Sequence, residues 1–208
     1  MVPLHLYLSH PQVEIDPAVP VPEWGLSDLG RERTQAMAQQ AWIRPFRRVI
    51  SSSETKSIET AGILADALGI RTEVFPSLHE NDRSATGFLP PPEFEQVADL
   101  FFRHPDESIR GWERAADAQA RIIGAVTRAL DGGPDGPSII VGHGGVGTLL
   151  QCYCARRPIA RVHDQPAGGG NHYLFDIADR IVLYGWRSME TPPELSLIHI
   201  SEPTRPRL

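Results

Sequence analysis

The sequence has few of the features that would place the protein outside the cell or in a membrane. Only two of its 208 residues are cysteines, and the i, i+2 spacing of Cys152 and Cys154 on a predicted helix points their side chains apart, so we expect no structural disulfide. The longest apolar runs, such as 138–141 and 146–150, are far shorter than the roughly 20 residues of a membrane-spanning helix. Residues 1–8 contain no basic leader and no small-residue cleavage site. We therefore expect a cytoplasmic protein with no membrane partner.

The charge balance argues against nucleic acid as a partner. Twenty Lys and Arg residues against 26 Asp and Glu residues give a formal net charge of −6, and no basic block interrupts the acidic excess. With 41% hydrophobic and 22% charged residues, the composition is that of a globular protein. We expect one domain over residues 1–190, with 191–208 as a disordered or artefactual tail that holds four prolines and no periodicity. The sequence is compatible with a homodimer.

Short apolar runs alternate with segments of helical periodicity along the chain. The predicted strands are 4–8, 47–51, 71–75, 138–141, 173–176 and 181–186. The predicted helices are 28–42, 53 or 55 to 68, 93–103, 111–130 and 146–155. Residues 77–92 lack periodicity and form an irregular insertion. This alternation predicts an α/β fold of three layers, α/β/α, around a mostly parallel sheet.

Two histidines follow predicted strands directly. His10 comes after the first strand and His143 after the strand at 138–141, and ligands of parallel sheets gather at the carboxyl ends of the strands. A neutral imidazole can attack phosphorus, and a second imidazole beside it can hydrogen-bond the phosphoryl oxygens. The alternative is that each ring satisfies a local hydrogen bond. Their position at strand ends favours the functional interpretation.

The order of several short motifs resembles that of the histidine phosphatase superfamily, in its phosphoglycerate mutase-like branch, over residues 4–186. The matching segments are Leu6-Tyr7-Leu8-Ser9-His10-Pro11, Leu26-Ser27-Asp28-Leu29-Gly30-Arg31, Ser51-Ser52 with Thr60-Ala61, Leu78-His79-Glu80, and Ile140-Val141-Gly142-His143-Gly144-Gly145. Each match alone is weak. Together they occur in the family's order with similar spacing.

The resemblance implies a catalytic set and a reaction. His10 would be the nucleophile that becomes phosphorylated, His143 would hold the transferred phosphoryl group, and Glu80 would protonate the leaving oxygen and then deprotonate the attacking water. A carboxyl on a partly desolvated loop can have its pKa raised towards neutrality, which agrees with that acid role and predicts a raised pKa at Glu80. Asp82 is the alternative acid.

The sequence departs from the family pattern at the phosphate-binding positions. Ser9 stands where the family has its first phosphate-binding arginine, Pro11 where it has glycine, and Lys56 where it has the second arginine. Lysine keeps the charge without the planar fork, and serine offers one neutral donor. Arg83 on the irregular insertion could supply a guanidinium from another backbone position. The candidate phosphate-binding residues are Ser9, Lys56, Arg83, Gly144 and Asn171.

The resemblance, carried by these residues, implies a metal-independent phosphomonoester hydrolase that acts on a small phosphorylated molecule through phosphohistidine. No His-Glu-x-x-His motif is present, so we expect neither metal nor cofactor. A phosphomutase is less favoured, because it needs several extra cationic contacts. The rival interpretation is an inactive relative that binds an anionic ligand as a sensor or scaffold. Trp24, Phe88 and Leu89 either wall a pocket mouth or pack on the surface.

Overall fold

The protein is described here by a computed structural model that covers residues 4–134 and 136–193. Within this part, seven strands form one sheet in the order β3-β2-β4-β1-β5-β6, and β7 also pairs with β5. The strands are β1 (His5–Ser9), β2 (Arg48–Ser51), β3 (Thr72–Val74), β4 (Ser138–Gly142), β5 (Asn171–Asp176), β6 (Ile181–Val182) and β7 (Arg187–Ser188). The helices are α1 (Asp28–Ala38), α2 (Thr55–Leu68), α3 (Pro91–Arg103), α4 (Ala115–Asp131) and α5 (Gly144–Cys154).

The α/β fold class predicted from the sequence is confirmed. Strands β1, β2, β3 and β4 pair in parallel, and every residue of β1, β2 and β4 is buried, as expected for strands covered on both faces. Strands β5, β6 and β7 add an antiparallel half. The parallel half therefore carries the carboxyl-terminal edge at which a site was expected.

The two faces of the sheet pack against different helices. Successive strand residues point to opposite faces, and on β5 the Tyr173 hydroxyl donates to the Gly147 carbonyl in α5 while the His172 ring lies 5.5 Å from the Trp42 ring, just beyond α1. Helix α1 packs on α2, and α4 packs on α5. The three predicted layers are therefore present.

Several element boundaries differ from the sequence-based prediction for local reasons. Helix α4 begins at Ala115 rather than near 111, because Arg110 and Gly111 have positive φ angles of 53° and 84° that no right-handed helix accommodates. Helix α2 ends at Leu68, and the residue after it, Gly69, has a φ of 68° and is the left-handed cap that the sequence predicted. The strand predicted at 181–186 ends at Val182.

The end of the chain is described only in part. The predicted tail begins inside the described region, where the Thr191 carbonyl lies 3.0 Å from His172 Nε2. The rest of that tail, 194–208, lies outside the described residues. In the described part, the helices are too short or too polar to span a bilayer.

Candidate active site

The ends of β1 and β4 bring His10 and His143 together. In the parallel register Ser9 pairs with Gly142, so the next residue of each strand leaves the sheet at the same level. The His10 N–H donates to the Gly142 carbonyl at 2.9 Å, and the two imidazole centroids lie 5.3 Å apart with planes at 72°. Two side chains that are far apart in the sequence therefore share one edge of the sheet.

The His10 ring is held as a neutral imidazole. Its Nδ1 lies 2.8 Å from the Pro11 carbonyl oxygen, and because that oxygen only accepts, Nδ1 carries the hydrogen and Nε2 the lone pair. Burial, with smaller contributions from His143 and Lys56, lowers the pKa of His10 to about 3. Nε2 is therefore unprotonated at neutral pH, as a nucleophile must be.

The His143 ring is enclosed by polar side chains. Its Nε2 lies 2.8 Å from Ser52 Oγ and 3.3 Å from Glu54 Oε1, and the ring has no exposed surface. Its backbone is fixed by the Tyr7 hydroxyl, which donates to the His143 carbonyl and accepts from its N–H. Burial lowers the pKa of His143, so this ring is neutral as well.

Lys56 is buried beside the two histidines but is already paired. Its ammonium group lies 2.5 Å from Glu54 Oε2 and donates to the Val21 carbonyl at 2.7 Å. Burial disfavours the charged form of Glu54, but His143, Lys56 and the Glu80 N–H outweigh it and lower the pKa of Glu54 to about 2. Glu54 was not among the site residues predicted from the sequence. Its position two residues before Lys56, at the start of a predicted helix, indicated a candidate partner for that lysine.

Glu80 occupies the N-terminus of α5. Its carboxylate accepts the N–H groups of Gly145 at 3.1 Å and Val146 at 3.0 Å. Burial alone would raise the pKa of Glu80, but Arg83, His143 and the N–H groups of Val146 and Asn81 lower it. The prediction of a raised pKa at Glu80 is therefore wrong, because the charge of Arg83 and these further contacts outweigh burial. Asp82, the alternative acid, also has a lowered pKa, chiefly because its carboxylate accepts the Ser84 N–H.

Arg83 lies at the site, where the sequence suggested that it could supply a guanidinium from another backbone position. Its guanidinium stacks over Phe94 and Trp112, 5.2 and 5.5 Å from their ring centroids, and lies 3.9 Å from Glu80 Oε2. It lines the same cavity as His10. Arg83 is thus an ordered cation in the cavity rather than a solvated surface residue.

Ser9 and Asn171 contact a side chain that the sequence analysis did not identify. Ser9 Oγ lies 2.6 Å from Gln165 Oε1, and Asn171 Nδ2 donates to the same oxygen at 3.1 Å. Ser9 has no exposed surface, and Asn171 is nearly buried. A Cβ at Gly144 would overlap Gln165 Nε2, which accounts for the glycine there. The structure therefore places Ser9 and Asn171 behind Gln165.

Two cavities meet at His10. One of about 490 Å³ is lined by His10, Glu80, Arg83, Asp164 and Gln165 among others. Asp164 accepts from Thr148 Oγ1 at 2.9 Å, and burial raises its pKa. A second cavity of about 260 Å³ has Trp24, Phe88 and Leu89 in its wall. Those three residues therefore wall a pocket mouth, which was one of the two alternatives left open.

Four charged groups beside the imidazoles balance one another, and Glu95, Asp164 and Arg161 also line the cavity at His10. Lys56 and Arg83 supply two positive charges, Glu54 and Glu80 supply two negative ones, and both rings are neutral. No group of three or more His, Cys, Asp or Glu side chains is placed to hold a metal ion in the described part of the chain. The site can thus offer a neutral nucleophile and several donors, without a surplus of positive charge.

The sequence matches the model of a known protein family. The sequence model of the histidine phosphatase superfamily (branch 1) matches residues 18–179. No protein with a curated function matches the sequence significantly.

Solved structures share the fold at low identity. A mycobacterial glucosyl-3-phosphoglycerate phosphatase bound to inorganic phosphate is 22% identical with a TM-score of 0.71, over 91% of this chain and 100% of that one. Bacillus stearothermophilus YhfR is 19% identical with a TM-score of 0.71, over 84% and 91%. A phosphoserine phosphatase from Entamoeba histolytica is 12% identical with a TM-score of 0.72, over 90% and 98%.

Proposed function

Because the chain belongs to the histidine phosphatase superfamily, we propose that it is a metal-independent phosphomonoester hydrolase that works through a phosphohistidine at His10. The observation that carries the proposal is the pairing of the two imidazoles, 5.3 Å apart, with the lone pair of His10 on Nε2. The substrate is a small phosphorylated molecule that reaches His10 through the cavities on either side.

The reaction has two steps. His10 Nε2 attacks phosphorus, the bond from phosphorus to the ester oxygen breaks, and that oxygen leaves with a proton. Water then attacks the phosphorus, the P–N bond breaks, and inorganic phosphate leaves while His10 recovers its lone pair. His143 stabilises the phosphoryl oxygens during both steps; its Nε2 contacts Ser52 and Glu54, and its Nδ1 has no hydrogen-bond partner among the described residues.

In this proposal Glu80 transfers the protons of both steps. The observed geometry favours its ionised form, so accepting a proton is the step for which Glu80 is already prepared. Its ionised carboxylate suits the second step, in which it accepts a proton from the attacking water. A bound phosphoryl dianion raises the pKa of a neighbouring carboxyl, which favours its protonation for the first step. Asp164 is the second candidate acid, because burial already raises its pKa and it lines the same cavity.

Phosphate release without added metal tests the nucleophile. We expect wild-type protein treated with a chelator to hydrolyse p-nitrophenyl phosphate, and His10→Asn to lower kcat by at least about a thousandfold. His104→Asn is the matched control, since the side chain of His104 is 41% exposed. A label from ³²P-phosphomonoester should be retained on wild-type protein after an alkaline quench. Hydrolysis that persists in His10→Asn would contradict the proposal.

A comparison of leaving groups tests the acid. Phenolate needs a proton far more than p-nitrophenolate does, so loss of the acid should slow phenyl phosphate more than p-nitrophenyl phosphate. We expect this selective slowing in Glu80→Gln and an equal effect on both substrates in Asp164→Asn. The reverse pattern would transfer the acid role to Asp164.

A second candidate function is binding of an anionic ligand without turnover. The ion pair of Glu54 with Lys56 favours it, because the lysine that would attract the phosphoryl group is neutralised in place. Binding of orthovanadate to the wild-type protein without measurable phosphate release from a panel of phosphomonoesters would support this function over hydrolysis.

A further inference from the structure

The side-chain amide of Gln165 has a fixed orientation, although amide oxygen and nitrogen are often interchangeable. The Pro166 carbonyl only accepts, so the Asn171 atom 3.2 Å from it is the nitrogen, Nδ2. That nitrogen only donates, so the Gln165 atom 3.1 Å from it is the oxygen, Oε1. Gln165 Nε2 is therefore the atom that points away from Asn171.

Ser9 supports the same orientation. Its hydroxyl accepts the Asn171 backbone N–H at 3.0 Å and directs its one hydrogen to Gln165 Oε1 at 2.6 Å, which is nearer than the Asn171 carbonyl oxygen at 3.2 Å. The amide oxygen thus receives two donors and has no capacity left for a ligand. Gln165 Nε2 has two hydrogens and no acceptor among residues 4–134 and 136–193.

The free amide nitrogen lies at the cavity that contains His10. Gln165 lines the larger cavity together with His10, Gly144 and Gly145. Its Nε2 lies so close to Gly144, the first residue of α5, that any Cβ there would overlap it. Gly144 directly follows His143 in the chain, and the His143 ring lies 5.3 Å from the His10 ring.

We propose that Gln165 is an oxyanion-binding residue, which donates from Nε2 to the phosphoryl group, and that Ser9 and Asn171 position its amide. This proposal rests on the proposed phosphoryl chemistry at His10. The proposal also gives Ser9 a role. Ser9 orients a neutral donor at the place where the family resemblance implies the guanidinium of an arginine. A neutral donor also suits a site in which the four charged groups beside the imidazoles balance one another.

Binding of orthovanadate tests the proposal without requiring turnover. Gln165→Met keeps the length of the side chain and removes the donor, so we expect the Kd for orthovanadate at pH 7 to rise roughly tenfold to a hundredfold. Gln165→Glu should bind more weakly still, because a carboxylate repels the anion. Gln40→Glu adds the same charge at an exposed position and should leave the Kd unchanged.

The pH dependence separates a direct contact from a structural role. A glutamate at position 165 regains a donor hydrogen when it is protonated, so the ratio of the Kd of Gln165→Glu to that of Gln165→Met should fall from above one at pH 7 towards or below one at pH 4.5. The ratio cancels the titration of the ligand itself. A ratio that stays constant over this range would overturn the direct contact.

The outcomes also distinguish this inference from the hydrolase proposal. If wild-type protein shows phosphate release that depends on His10 while both Gln165 variants keep the wild-type Kd, the role of Gln165 is refuted and the hydrolase stands. If orthovanadate binding depends on Gln165 but no phosphate release occurs, the anion contact is upheld and the hydrolase is refuted. If wild-type protein neither binds orthovanadate nor releases phosphate, both proposals are refuted.

Discussion

Replacement of Glu54 by glutamine is expected to strengthen phosphate binding, although it removes a charged group from the site. Glu54 Oε1 lies 3.3 Å from His143 Nε2 and Oε2 lies 2.5 Å from Lys56 Nζ, so the carboxylate contacts both groups that would meet the phosphoryl oxygens. The glutamine oxygen can still accept the Glu80 N–H, which Glu54 Oε1 now accepts at 2.9 Å. The amide nitrogen would then take the place of Oε2, and because it cannot accept from Lys56 Nζ, the substitution removes the charge and releases the ammonium group from this partner.

The size of the effect follows from Coulomb's law. Two unit charges 4 Å apart interact by about 1 kcal/mol at the dielectric constant of water and by about 4 kcal/mol at an effective value of 20. Inorganic phosphate is mostly a dianion at pH 8. Even at the dielectric constant of water, removal of the Glu54 charge therefore relieves about 2 kcal/mol of repulsion between the carboxylate and the dianion. That corresponds to a Kd roughly 30-fold lower in Glu54→Gln.

Titration calorimetry with inorganic phosphate at pH 8 measures this change. Glu73→Gln is the control, because Glu73 also pairs with a buried cation, Arg48, at 2.7 Å but lies on β3, outside the cavity linings at His10. Its Kd should equal that of wild-type protein. An unchanged or higher Kd in Glu54→Gln protein that unfolds cooperatively would refute the reasoning. The carboxylate would then serve the ligand by holding Lys56 in place.

Three other perturbations have defined outcomes. Gly30→Ala should destabilise the fold by about 1–3 kcal/mol in urea unfolding, because its Cβ would overlap a loop carbonyl oxygen, whereas Gly62→Ala, with open space around it, should stabilise by up to about 1 kcal/mol. Arg83→Gln should raise the Kd for orthovanadate at least about tenfold, and Arg110→Gln, at an exposed ion pair, should not. The pKa of His10 is lowered from 6.5 to about 3 in the folded protein, so as the pH falls the unfolded chain takes up a proton at this residue before the folded protein does. The contribution of His10 should therefore lower the free energy of unfolding as the pH falls from 6.5 towards 3. A His10→Asn variant that loses as much stability over that range as wild-type protein would contradict the last expectation.

The positions of the two histidines could be predicted because they depend on backbone pattern. A continuous apolar run marks a buried parallel strand, and the next residue must leave the sheet at its carboxyl edge. His10 and His143 follow such runs, and the register of β1 with β4 puts them side by side. No knowledge of side-chain packing was needed for this step.

The partners of the site residues could not be predicted in the same way. Gln165 meets Ser9 across 156 positions of sequence, and Glu80 meets Val146 across 66. Contacts of this kind depend on where a loop returns to the sheet, which periodicity does not encode. The predicted pKa direction of Glu80 was wrong for this reason, because its position on a loop predicted desolvation and not the contacts with Arg83, His143 and the Val146 N–H of α5.

Positions 9 and 56, where the resemblance to the family leads us to expect arginines, therefore have to be considered together with the residues that contact them. A serine at position 9 is short enough to leave space for an amide, and the amide of Gln165 is oriented by that same serine. A lysine at position 56 is small enough to be buried against a carboxylate, and Glu54 is that carboxylate. Each pair replaces a fixed cationic fork by a neutral donor or a neutralised cation. A site built in this way gives up electrostatic attraction for a dianion, and it must obtain selectivity from hydrogen-bond geometry and from the walls of its cavities.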